Sequence, residues 1–221
     1  MKKIALFIGL TLILVASDLK IYGVKSGKIE YDHITYYLHT KLTINNGKEE
    51  GLRERIPFVD KKIYVYFDDY GTKVYEVAYE VSKYFGKKKI DPPKKLYESV
   101  NKGDKVYFFE RGRVSSNGWY LMEDCKEKEA ICKKQGWYKM LYPKAKEIGQ
   151  EVIAGKKATC YKESEYGDDC LWQNILLKQS FYSTSKGKRF EIEEQKVAKK
   201  IETNIKIDSK IFNPSWLKGH K

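Results

Sequence analysis

Four cysteines are the residues of this 221-residue chain whose type and spacing point most directly to chemistry: Cys125, Cys132, Cys160 and Cys170. An even number suits disulfides, and three pairings are open. Cys160 and Cys170 flank a turn-like stretch, Glu165-Tyr166-Gly167-Asp168, and suit a bridge across a hairpin. Cys125 and Cys132 would then close a short loop. In one continuous helix their Cα atoms would stand about 10.5 Å apart, beyond the ~7 Å reach of a disulfide. Either the segment is broken or the pairing is different. Neither C-x6-C nor C-x9-C is a zinc-knuckle spacing, and there is no C-x-x-C for thiol exchange.

The histidines are His33, His39 and His220. The first two share a strand face about 20 Å apart, too far to hold one ion. Asp68-Asp69 and Asp168-Asp169 are adjacent carboxylates beside glycine. Neighbours on a strand face opposite ways, and Asp next to Gly favours turns, so neither pair reads as an acid–base couple. The nucleophile-elbow, zincin, P-loop and dinucleotide motifs are missing. No catalysis, metal or cofactor is expected. A more productive pattern is aromatic: Tyr64, Tyr66, Tyr75, Val77, Tyr79, Trp172, Tyr182 and Phe190 are candidates to line an apolar groove with a few polar points. The competing reading is an ordinary core with tyrosine at its rim.

The elements that must position these residues are mostly strands. Residues 27–44 alternate imperfectly and read as one or two strands, followed by the turn Asn45-Asn46-Gly47. In 62–67, Ile63, Val65 and Phe67 share one face, with Tyr64 and Tyr66 on the other. After Asp68-Asp69-Tyr70-Gly71 a long strand follows over 73–85, with Tyr75, Val77, Tyr79 and Val81 in phase. Residues 86–95 read as a basic loop holding Pro92-Pro93. A hairpin is expected over 96–110 around Asn101-Lys102-Gly103-Asp104, and a weak helix over 123–147 that Gly136 and Pro143 interrupt. Residues 151–163 and 170–182 read as the two arms of a hairpin around Gly167. Strands then run over 189–195 and 196–207, and the tail from Lys210 is irregular. The sum is mainly β (α+β): a curved antiparallel sheet or unclosed β-barrel with one or two helical pieces.

Met1-Lys2-Lys3, then Ile4 to Ala16 without charge, then small residues at Val15-Ala16-Ser17, read as a signal peptide cut after Ser17. One domain over 18–221 remains, in a periplasm or secreted, with no integral membrane span after cleavage. The even cysteine count fits an oxidising compartment. Formal net charge is +13, carried by lysine with five arginines: Arg53, Arg55, Arg111, Arg113 and Arg189. Export and scarce arginine, the side chain suited to bidentate phosphate contacts, argue against nucleic acid. Anionic envelope surfaces are the better partner for such a charge, and a solvating Lys/Glu surface is the plain alternative.

Three stretches together are similar to the broad LolA-like superfamily of small exported bacterial proteins: Gly27-Lys28-Ile29-Glu30-Tyr31, Tyr66-Phe67-Asp68-Asp69-Tyr70-Gly71, and the run from Gly149. In that run, Val152 to Lys157, Trp172 to Lys178, Ile201 to Asn204, and Asp208 with Phe212 follow the superfamily's strand pattern. The resemblance covers about half the mature chain, and its motifs are turn and packing residues. It implies an unclosed antiparallel barrel with helices plugging the concave side, able to hold an acyl chain. The Cys-bearing segment 123–147 departs from that pattern, and no lipoprotein-binding residue of the carrier proteins has a match. The expected function is a non-catalytic binding or carrier domain for an apolar ligand, a lipid or lipidated peptide. The basic stretches Lys87 to Lys95 and Lys186 to Arg189 would contact anionic head groups. The alternative is a structural or protein-interaction module of the cell envelope without a ligand.

Overall fold

Period-two alternation governs almost the whole chain. The computed structural model describes residues 20–219 apart from 46–47, 84–85, 103–104, 119 and 186–187. It leaves aside the side chains of 41–45, 48–52, 120–123, 185 and 188–190. The expected signal peptide at 1–17, His220, Lys186 and the side chain of Phe190 lie outside the described residues. Eleven strands are formed: β1 Gly27–Asn45, β2 Lys48–Asp68, β3 Lys73–Lys83, β4 Lys88–Lys102, β5 Lys105–Glu110, β6 Arg113–Gly118, β7 Lys146–Ile153, β8 Lys156–Lys162, β9 Gly167–Trp172, β10 Ile175–Ser185 and β11 Lys188–Thr203. Two helices, α1 Tyr120–Glu127 and α2 Glu129–Leu141, separate β6 from β7. The sheet order is β6-β5-β4-β3-β2-β1-β11-β10-β9-β8-β7, and every neighbouring pair is antiparallel. Two meanders therefore meet at the β1–β11 ladder, and β6 and β7 are the open edges. This is the unclosed antiparallel sheet that the alternation predicts.

The sheet curls strongly. Lys196 of β11 reaches Glu76 of β3 at 3.2 Å, although β1 and β2 lie between them. Three strand spacings of about 4.8 Å are bridged only on the concave side. The main core gathers Ile29, Tyr31, Ile63, Val65, Phe67, Ala78, Ile153, Ala158, Cys160, Cys170, Ile175, Leu177 and Ala198. Phe67, Ala78, Ala158 and Leu177 are fully buried. The helices pack on the concave side. Cys125, Cys132 and Met140 join Ile21 and Val106, while Tyr138 lies on Leu171 and Ala145. Asp169 pairs with Gln179 and Gln179 with Lys196, so Leu171, two residues from Asp169, shares the face of Lys196, and α2 packs on the concave side of β8–β10. Gly136 allows this close seat: its φ is +80°, and a Cβ there would stand 2.3 Å from the Asn174 side chain.

Several expected boundaries shift. The two arms predicted around Gly167 are two hairpins, turned at Ala154-Gly155 (φ 49° and 73°) and Gln173-Asn174 (φ 51° and 59°). Two successive left-handed residues make the tight turn whose twist matches the strands. Asp168 and Asp169 therefore sit in β9, not in a turn. The basic loop 86–95 belongs largely to β4, whose register with β3 jumps from Lys94↔Glu80 to Lys89↔Ser82. The intervening residues include Pro92 and Pro93, which have no N–H to give a ladder. Strand β11 stops at Thr203, before Ile205 and Ile207, because Asn204 turns left-handed (φ 57°). The tail forms two short 3-10 turns, Ser209–Phe212 and Ser215–Leu217, that bury Phe212 and Leu217 against Val100 and Tyr107.

Candidate binding groove

Val65 and Phe67 face the core, so Tyr64 and Tyr66 of β2 must face outward. The β2–β3 ladder sets Tyr64 opposite Val77 and Tyr66 opposite Tyr75. The same outer face carries Tyr79 and Val81 of β3, and Pro93 leans in from the β4 excursion. Lys62, Tyr64, Tyr66, Val77, Tyr79, Val81 and Pro93 enclose an open groove of about 340 Å³. That is within the ~300–1,000 Å³ range of small-molecule sites. Val77 is its buried floor at 4% exposure. Tyr64 and Tyr79 meet edge to face with centroids 6.0 Å apart, and Tyr66 leans on Tyr75 at 6.1 Å.

The rim is charged but balanced. The Lys28 ammonium lies 5.3 Å from the Tyr64 ring and 5.7 Å from the Tyr66 ring, and it donates to Glu30 at 2.8 Å. That hydrogen bond raises the Lys28 pKa. Lys62 stands 3.8 Å from Asp32. At the far end, burial and then the neighbouring Glu98 raise the Tyr75 pKa. Glu98, itself buried, accepts from Tyr75, Lys95 and Trp216. The tail seats itself there: Trp216 stacks on Phe109 at 5.4 Å. The outer face of β3–β5 is thus covered by the tail. The tyrosine groove lies in the uncovered part beside the tail.

Of the expected lining residues, Tyr64, Tyr66, Val77 and Tyr79 come together, with Tyr75 against them. Trp172 does not join them. It packs against the main core beneath the Lys156 ammonium, 4.8 Å from its ring. Tyr182 donates to Asp168 on the other meander. The missed contributors are Lys62, Val81 and Pro93. Val81 was readable from its phase with Tyr79, whereas Pro93 enters only through a break in register.

Of the three open pairings, the structure has Cys125–Cys132 with Cys160–Cys170. Cys160–Cys170 joins directly paired residues of β8 and β9. Cys125–Cys132 has its Cα atoms 5.4 Å apart because Lys128, with φ −111° and ψ 40°, breaks the helix between them. Glu151 lies near Cys160 and Cys170, but the two sulfurs are joined to each other and give no thiolate to a metal. His33 is held by Asp60 at 2.7 Å and stands 3.6 Å from Glu194, a packed surface histidine. Asp68 accepts from the Asp69 N–H and caps the turn, as its place beside Gly71 implies.

No protein-family model and no curated protein matches the chain. Among solved structures it is similar to MucB in complex with MucA(peri), with 12% identity, a TM-score of 0.37, and coverage of 87% of this chain and 52% of that one. A second structure, of MucB, gives 11% identity, a TM-score of 0.38, and coverage of 89% and 60%. The chain spans about half to three-fifths of those chains. Such a distant likeness carries neither fold nor function. Among the described residues, no helix is long and apolar enough to cross a membrane.

Proposed function

We propose that this chain is an exported, non-catalytic binding domain, and that the groove over β2 and β3 takes an apolar ligand, a lipid or a lipidated peptide. One observation carries the reading. Core side chains and the helices fill the concave side, whereas among the described residues no element covers the tyrosine-lined outer groove between the tail and a row of paired charges. Apolar contact with Val77, Val81 and the tyrosine rings supplies the affinity, and the hydroxyls give polar points at the rim. The two disulfides fit an oxidising compartment. The LolA-like resemblance of the sequence points to ligand binding too, though that superfamily's cavity would be concave and this groove is not.

A second reading, a protein-interaction module, is favoured by the β7 edge. Val152 and Ile148 are 73% and 53% exposed there, beside backbone groups that no strand covers. Native mass spectrometry of the gently extracted protein, followed by titration with a fluorescent fatty acid, separates the two. A co-purifying lipid mass or saturable uptake supports the groove. A clean unliganded mass with no uptake removes it.

A further inference from the structure

Beyond Val81, the phase of β3 leads to Lys83, two residues and about 7 Å further along the same face. The ladder places Lys88 of β4 directly opposite Lys83. Like charges directly opposite each other in an antiparallel pair repel, and this pair stands at the mouth of the groove. Among the described residues, Lys83 has one ion-pair contact, with Glu80 at 3.5 Å. Among the described residues, Lys87, Lys88, Lys89 and Lys94 have no acid within ion-pair distance. The contrast with the rest of the groove is sharp, because Lys28, Lys62 and Lys95 are each matched by Glu30, Asp32 and Glu98. Positive charge is in excess here, with Lys83, Lys87, Lys88, Lys89 and Lys94 against Glu80 and Asp91, where the apolar floor of Tyr79, Val81 and Pro93 runs out.

We infer that the groove's occupant is an anionic single-chain amphiphile, its head group between Lys83 and Lys88 and its chain over Tyr79, Val77 and Tyr64. The inference rests on the reading that the groove binds an apolar ligand, and it adds the seat of the anionic head group at Lys83 and Lys88 and the direction of the chain. A phosphate or a carboxylate head meets the same need.

The test is calorimetric titration of the full chain with dodecyl phosphate, dodecanoate and the neutral dodecyl maltoside, each below its micelle concentration. Wild type and Lys83→Glu/Lys88→Glu are compared at low and high salt, with circular dichroism as the check of folding. Both anionic ligands should bind at least tenfold more tightly than the maltoside. Charge reversal should cost them tenfold or more and leave the maltoside unchanged. Tyr79→Ser should weaken all three. Equal binding of all three, insensitive to charge reversal, overturns the head-group assignment while leaving the groove in place. Binding of none overturns the groove and the assignment together. Selectivity of dodecyl phosphate over dodecanoate supports the assignment and names the head group.

Discussion

The Trp216 indole donates to the Glu98 carboxylate at 2.6 Å, and so pins the end of the tail to the strand beside the groove. Burial alone would raise the Glu98 pKa. Hydrogen bonds from Lys95, Trp216 and Tyr75 overcome it and hold the group below its ordinary value. A hydrogen bond to a charged group contributes about 1.5–3 kcal/mol, and Trp216→Phe keeps much of the stacking on Phe109. The variant should lose stability within that range in urea unfolding. An unchanged midpoint would show that the tail contributes nothing.

Asp169 behaves in the opposite sense. It lies buried in β9 beneath Tyr138, and its pKa is raised to about 6. Burial is the main cause, the nearby polar groups of Tyr138 and Gln179 oppose it, and the Glu163 and Asp168 charges add to it. A raised folded pKa means that the stabilising form is the neutral one. Its contribution is complete below the unfolded value near 3.8 and is lost as pH rises through about 6. Two units correspond to about 3 kcal/mol. Asp169→Asn should therefore raise Tm at pH 7 and leave it nearly unchanged at pH 4. An equal shift at both pH values would contradict the assignment.

Glu98 runs the other way. Its depressed pKa gives stability that is present above the unfolded value and lost as pH falls through the folded one. Glu98→Gln should thus destabilise at pH 7 and cost less below pH 4. The two single variants, melted across pH 3–8, should diverge in opposite directions. Parallel curves would show that one sign is wrong.

The disulfides close loops with sequence separations of 7 and 10. Chain entropy alone gives about 2.5 kcal/mol for each. Their local effects should differ. Cys125→Ser/Cys132→Ser unties the helix pair and the Ile21 cluster, so hydrogen exchange should quicken in α1 and α2 while β8 and β9 stay protected. Cys160→Ala/Cys170→Ala should instead expose the β8–β9 ladder. Uniform quickening in either variant would mean that the helices and the sheet open as one unit.

How much of this was legible depended on whether a residue's signal was local. Ile63, Val65 and Phe67 against Tyr64 and Tyr66 fixed both faces of β2, because strand alternation needs no knowledge of the partner. The helix break at Cys125–Cys132 was legible as a geometric necessity once that pairing was taken. Ala154 and Gln173 gave no warning of a left-handed turn, since neither is a residue type that favours one, and the neighbouring Gly155 and Asn174 were the only cues. Trp172 looked equivalent to the tyrosines, but alternation within a strand does not say which strand's outer face joins which. Trp216 was missed for a similar reason: its partner, Glu98, is 118 positions away, and the contact is made by the curvature of the sheet and the return of the tail.

The central claim places ligand binding on the outer face of β2 and β3, where tyrosines stand over an apolar floor with no covering element among the described residues. The most direct check is an amide chemical-shift titration of the labelled protein with dodecanoate. Perturbations should cluster at Lys62, Tyr64, Tyr66, Val77, Tyr79 and Val81. Shifts gathered instead around Trp172, Leu177 and Ala198, on the inward side of the sheet, or none at all, would contradict it.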